Sequence, residues 1–298
     1  MIKLKEVNKY FNEKKVLNNV TFHVKKGDII GVIGRNGAGK STIFKIITGI
    51  LKQNSGSCLV KNELFDINEN NYISYLPETR GLDGRCLVKE HLKDMVCYKG
   101  IKRKESEKLV KFWLDRFGFQ DNYFDKINTL SKGNQQKLQF IVAIANQPEI
   151  LILDEPFSGL DIISRDIFWD TIKYLNNKGS TVLFSSHNLT EDMSQCDKFL
   201  FIDEGKIIEY DTLTNIQDNY PFILEIKCAE INKKRIDRLA NYEILKTEKD
   251  VHYIKISCLD DARNIFNELS HNFLEIFKVR KMSLNELFIE ISGDKDEH

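Results

Sequence analysis

The sequence has no excess charge of either sign, no paired cysteine motif and no long hydrophobic run. Its 44 Lys and Arg balance 44 Asp and Glu, and the basic residues are spread along the chain, so there is no electrostatic footprint for nucleic acid. Six cysteines (Cys58, Cys86, Cys97, Cys196, Cys228 and Cys258) lie far apart, with no C-x-x-C pair and no signal peptide ahead of them. That spacing indicates neither a zinc site nor a disulfide framework, and the thiols read as reduced, cytosolic and mostly buried. The longest apolar stretches, such as EILIL at 149–153, are strand-sized, against the roughly 20 residues a helix needs to cross a bilayer. Any work at a membrane falls to another chain that spans it.

At 298 residues and 42% hydrophobic content the chain can bury two cores. IKLKEV (2–7) and VTFHV (20–24) alternate and flank a polar turn region, which predicts a small antiparallel layer. DIIGVIG (28–34), EILILDE (149–155) and STVLFSSH (180–187) are continuous apolar runs, the pattern of parallel strands buried on both faces. Helical segments at 41–50 and 162–177 follow two of them, so the fold class is α/β. Residues about 86–145 change to helical periodicity and read as a lobe inserted into that sheet. FLFIDEGKIIEYD (199–211) is a hairpin turned at Asp203-Glu204-Gly205, and TNIQDNYP (214–221) reads as a linker.

Beyond the linker, strands at 222–228, within 242–258 and at 273–280 alternate with helices at 231–240 and 260–271. This βαββαβ order predicts a small α+β ferredoxin-like domain over 222–298, closed by SLNELFIEI with a capping box from Ser283 and Glu286. RNA-recognition modules share the order, but the segment has no RNP aromatic pattern and 13 basic against 15 acidic residues, net −2. Dimerisation or regulation fits it better.

GRNGAGKS (34–41) satisfies G-x-x-x-x-G-K-[ST] between a buried strand and a helix. Its glycines let backbone N–H groups close around α- and β-phosphates, Lys40 reaches the β- and γ-phosphates, and Ser41 offers a hydroxyl to Mg²⁺. A tight turn alone would leave Lys40 unexplained. Strand 149–153 delivers Asp154 and Glu155 at its carboxyl end, where a parallel sheet places its ligands. Two acids there are costly without a cation or substrate water, which assigns Asp154 to Mg²⁺ through water and Glu155 to activating the attacking water. His187 ends another strand on the same edge, facing the γ-phosphate as a donor.

GRNGAGKST, LSKGN, LILDEP, SGLD and SSHNL, in this order, resemble the Walker A, signature, Walker B, D-loop and H-loop of an ATP-binding-cassette (ABC) ATPase over about residues 1–215. The resemblance implies a P-loop NTPase cassette that binds ATP through Gly34, Arg35, Asn36, Gly37, Ala38, Gly39, Lys40, Ser41 and Thr42. It implies two cassettes stacked head to tail, homodimer or heterodimer, with Ser131, Gly133 and the backbone at Asn134 capping the γ-phosphate held by the partner. A helix N-terminus carries about half a positive charge, so such a cap attracts ATP from the far side. Asp161 and Ser158 would lie in the dimer seam. Phe11, or in the other register Tyr10, would stack on adenine.

Two positions depart from the family pattern. Lys132 and Asn134 stand where its commonest signature has Gly and Gln, but the backbone can still cap phosphate. YLPETRGL (75–82) carries Glu78 where the Q-loop has glutamine, either a hard oxygen ligand for Mg²⁺ or its water, or a carboxylate that solvates a loop. This Y-L-P-E variant with a C-terminal extension is similar to bacterial exporter cassettes whose separate membrane subunits move small ions, drugs or amphipathic peptides, including phenol-soluble-modulin exporters. The resemblance implies a multi-spanning permease partner at the cytoplasmic face of the membrane, docking near residues 78–98. The alternative is a soluble ABC ATPase acting on ribosomes or DNA, though such relatives usually carry paired cassettes, long coiled coils or a zinc insertion.

Overall fold

The computed structural model describes residues 1–64, 72–79, 81–186, 193, 195–228, 242–269 and 274–293. They divide into two compact units, Met1–Tyr210 and Asp211–His298. In chain order the first holds β1 (Ile2–Phe11), β2 (Lys14–Val24), β3 (Ile29–Ile33), α1 (Lys40–Ile47), β4 (Ser55–Val60), β5 (Glu63–Leu64) and β6 (Ile73–Leu76). The helical lobe follows as α2 (Val88–Tyr98), α3 (Arg103–Arg116) and α4 (Lys132–Ile144). The unit closes with β7 (Ile150–Leu153), α5 (Ile162–Asn177), β8 (Thr181–Ser186), β9 (Lys198–Asp203) and β10 (Lys206–Asp211).

Two sheets result. The antiparallel sheet has the order β2-β1-β4-β5, and the larger sheet the order β10-β9-β3-β8-β7-β6, with β9, β3, β8, β7 and β6 parallel. Alternate residues of the parallel strands, Ile30, Val32, Ile150, Ile152, Leu183 and Leu200, share one core with Ile43, Phe44 and Ile47 of α1 and with Leu4, Leu17 and Phe22 of the antiparallel layer. The phosphate-loop helix is thus anchored through its apolar face to both sheets. On the lobe side Phe184 meets Trp169 edge-on at 5.3 Å, while Phe140 of α4 stacks on Phe168 of α5 at 4.0 Å. Such ring pairs contribute about 0.5–1.5 kcal/mol beyond their buried area, and here they join the lobe to the sheet domain.

The second unit begins with α6 (Leu213–Asp218), then β11 (Phe222–Cys228), β12 (Glu243–Glu248), β13 (Val251–Ile256), α7 (Leu259–Leu269), β14 (Leu274–Lys281) and α8 (Leu284–Ser292). Its antiparallel sheet has the order β12-β13-β11-β14, that of the split βαβ layout, and Leu224, Ile226, Ile254 and Ile265 form its core. The Ser283–Glu286 capping box is present. The expected helix over 231–240 lies outside the described residues.

Two readings of the pattern are corrected, and one strand goes unread in it. The linker over 214–221 is largely α6, because the Thr212 hydroxyl accepts the Asn215 N–H as an N-cap and Ile216 is buried; the compact unit begins at Asp211, not after 221. The polar turn region between the first two strands is itself strand up to Phe11, turning at Asn12 with φ 52°. β4, with its Ser-Gly-Ser start, gave no strand signal and is held by pairing with β1.

Lys99, just past α2, turns its ammonium inward to the end of α4. Its Nζ lies 2.6 Å from Val142 O, 3.0 Å from Ala143 O, 2.9 Å from Ser74 Oγ and 3.3 Å from Asn146 Oδ1. The cation meets the negative end of the α4 dipole and carbonyls that lack helical partners. Burial lowers its pKa from 10.5 to about 7. Below about pH 7 folded and unfolded chains both hold the proton; between about 7 and 10.5 only the unfolded chain does, so this group adds stability as pH rises. In urea unfolding, the difference between the native chain and Lys99→Met should move toward the native chain over that window, by at most ~1.4 kcal/mol per pH unit. A difference independent of pH would refute the assignment.

Candidate functional site

The loop after β3 folds by glycine geometry. Gly37 and Gly39 have φ of 82° and 111°, and a Cβ on Gly39 would stand 2.7 Å from Leu17 Cδ2, so neither position suits another residue. Gly39 precedes α1 without offering a side-chain cap, which leaves the first N–H groups of α1 available to an anion. Arg35, Asn36 and Gly37 are exposed, Ala38 is buried, and Ser41 and Thr42 are half-buried on the first turn. Lys40 is 6% exposed, and its ammonium donates to Gly34 O at 2.6 Å and Arg35 O at 3.1 Å. Burial lowers its pKa, opposed by the negative charges of Glu155, Asp154 and Glu78.

Those three acids reach Lys40 from different segments. Asp154 and Glu155 follow β7 and are 2% and 8% exposed; Glu78 follows β6 and is exposed. β8 lies between β7 and β3, and its Ser185 organises the pair. The Ser185 hydroxyl donates to Asp154 Oδ1 at 2.6 Å and accepts the Glu155 N–H at 2.9 Å. Tyr75 donates its phenol to Asp154 Oδ2 at 3.1 Å, and burial together with that carboxylate pushes its pKa well above the usual value. Glu155 has φ 51°, a left-handed conformation costing roughly 1–2 kcal/mol for a residue with a Cβ. Ser185 holds that strained backbone in place.

A glycine of the β9–β10 turn supports the loop from behind. Gly205 donates its N–H to Ala38 O at 3.0 Å and accepts the Asn18 N–H at 2.8 Å. Its φ is 74°, and any Cβ there would overlap Val16 O, so the turn admits only glycine. The β1–β2 hairpin is thereby tied to the phosphate loop, and at its tip Tyr10 and Phe11 are 40% and 44% exposed. Lys15 lies 5.5 Å from the Tyr10 ring and Lys9 5.2 Å from the Phe11 ring.

Ser131 caps α4, accepting the Asn134 N–H at 3.2 Å. A Cβ on Gly133 would lie 3.3 Å from Gly159 O, which brings the start of α4 beside the segment after Glu155. Ser158 is exposed, and Asp161 caps α5, accepting the Ser164 N–H at 2.8 Å and its hydroxyl at 2.9 Å, bonds that lower the Asp161 pKa. His187 lies outside the described residues. The structure therefore gathers Lys40, Asp154, Glu155 and Glu78 at one sheet edge, and brings Gly133, two residues past Ser131, beside Gly159, which lies between Ser158 and Asp161. The sequence pattern gives Gly205 as a hairpin turn but not its support of the loop, and it singles out neither Ser185 nor Tyr75; the two serines ending STVLFSS, polar at the close of an apolar strand, are the available signal for Ser185.

Among the described residues no group of three or more His, Cys, Asp or Glu forms a metal cage. Nor, among them, is any helix long and apolar enough to cross a membrane.

A family model described as ABC transporter matches residues 17–158, and one described as AAA domain, putative AbiEii toxin, Type IV TA system matches residues 123–194. An uncharacterized ABC transporter ATP-binding protein of Methanocaldococcus jannaschii is 36% identical, covering 89% of this chain and 97% of its own. The linearmycin resistance ATP-binding protein LnrL of Bacillus subtilis is 28% identical over 98% of both chains. Among solved structures, the dimeric post-hydrolysis state of an ATP-binding cassette bound to ADP and Pi superposes with TM-score 0.66 and 25% identity, over 72% of this chain and 99% of that one.

Replacing Ser185 by Ala would leave the Asp154 carboxylate and the strained Glu155 N–H each short of a partner. The expected cost is about 1–3 kcal/mol, read as a lowered denaturant midpoint of the native chain. An unchanged midpoint would mean that water replaces the hydroxyl and that Ser185 does not organise the site.

Proposed function

We propose, from the premise that the chain belongs to the ABC transporter ATP-binding family, that it powers efflux through a separate membrane permease. As a member of that family it is an ATP-binding, ATP-hydrolysing subunit. The observation that carries the site reading is the convergence of Asp154, Glu155 and Glu78 on the buried ammonium of Lys40 beside the uncapped start of α1.

In this reading residues 34–42 hold the ATP phosphates, with Lys40 exchanging its loop carbonyls for β- and γ-oxygens. Phe11 or Tyr10, at the tip of the hairpin fixed by Gly205, stacks on adenine. Mg²⁺ suits the donors present: it takes one or two carboxylates and completes its shell with phosphate oxygens and water, and no all-protein cage exists among the described residues. Ser41 and Asp154, with Glu78 at the margin, would hold the ion, which neutralises charge on the transferring phosphoryl group. Glu155 accepts a proton from the attacking water, which is in line with the bond to ADP, and Lys40 stabilises the spreading negative charge. His187 serves as a second donor. Ser131, Gly133 and the Asn134 backbone of one copy cap the γ-phosphate on a second cassette, with Ser158 and Asp161 in the seam, so loss of that phosphate loosens the pair.

Export rather than import is supported by the LnrL match, a resistance protein aligned over 98% of both chains. A drug or an amphipathic peptide is the substrate class we favour. The permease docks near α2, where Lys89 sits 4.1 Å over the Phe124 ring and Phe124 is 67% exposed, an aromatic and cationic surface for a short helix of the partner. In this reading the protein works at the cytoplasmic face of the membrane.

Glu155→Gln is expected to bind ATP, dimerise and cease turnover, and to bring down a multi-spanning membrane protein on affinity purification with ATP. Normal turnover would remove Glu155 as the base. Ribosomal or DNA-bound partners would replace the transporter reading by a non-transport one.

A further inference from the structure

α4 does more than present Ser131 and Gly133 at its start. One turn further on, Gln136 and Gln139 are 3% and 6% exposed, three residues apart and so on one face of the helix. Gln136 Nε2 donates to Pro156 O at 3.1 Å, the carbonyl just past Glu155. Gln139 Nε2 donates to Pro77 O at 3.1 Å and lies 3.4 Å from Thr79 O, the carbonyls on either side of Glu78. Gln139 Oε1 is buried and has no hydrogen-bond partner among the described residues. A buried unpaired amide oxygen costs about 1–3 kcal/mol, so an apolar residue here would relieve a penalty; what the glutamine contributes is its N–H₂ on the loop. The far end of the same helix is tied by Lys99 to Ser74 of β6, the strand that leads into that loop.

We infer that Gln139 is a positioning residue for Glu78: its side-chain amide bridges the backbone on both sides of Glu78 and fixes that loop to the helix whose start caps phosphate. Movement of α4 as its N-terminus meets nucleotide is carried by this amide into the Glu78 loop of the same subunit. The inference rests on the proposed role of Glu78 at the nucleotide.

The test is steady-state ATPase kinetics of the full chain with saturating Mg²⁺, for Gln139→Met, Glu78→Ala and the double variant. Gln139→Met keeps the length and removes the amide; it should lower kcat about 5- to 10-fold with KM for ATP within about twofold, the loss expected of a group that acts after binding. In the double variant the loss should equal that of Glu78→Ala alone, because residues acting through one another are not additive. If kcat is unchanged in Gln139→Met, or if the two losses multiply, the inference is overturned while the role of Glu78 stands. If Glu78→Ala turns over normally, the role of Glu78 fails first and the inference with it. Should Gln139→Met not yield folded protein, Gln139→Asn, which withdraws the amide by one methylene, carries the same comparison.

Discussion

The buried ammonium of Lys40 is the constraint on which the first unit turns. A lysine that is almost fully covered loses several kcal/mol of hydration unless negative charge or dipoles surround it. The fold answers with two loop carbonyls and with three carboxylates from separate segments. For those groups to converge, β3 and β7 must end on one edge with β8 between them, and α1 must be clamped against both sheets. Ser185 then keeps the carboxylates in register, at the expense of a strained backbone at Glu155.

What the amino-acid pattern reveals and what it hides follow from the range of the interactions. The buried strands, the glycine loop, the Asp-Glu pair and the capping box at Ser283 are local: a few adjacent residues hold the whole physical reason. Tyr75 to Asp154, Ser185 to Asp154 and Gln139 to Pro77 join residues 79, 31 and 62 positions apart, and nothing in either partner's neighbourhood announces the other. α6 was obscured differently, since Thr-Asn, Gln-Asp and Asn are as suitable for a turn as for a short capped helix, and only burial of Ile216 decides.

α4 gathers the long-range contacts. Its N-terminus lies beside Gly159, its middle holds the backbone past β6 and β7, and its C-terminal carbonyls receive Lys99. Phe140 adds an apolar tie to α5. A helix fastened at several points along its length joins those segments through one rigid element.

Gly205 has a consequence for the order in which the protein is made. The turn that supports the phosphate loop lies about 170 residues after it, so a chain emerging from the ribosome displays the loop, both acids and α4 before the backbone bonds to Ala38 and Asn18 can form. Until then the loop lacks its backing, and the nascent chain carries the nucleotide motifs without their final geometry. The backing of the loop by Gly205 is thus among the last bonds of this unit that translation makes available.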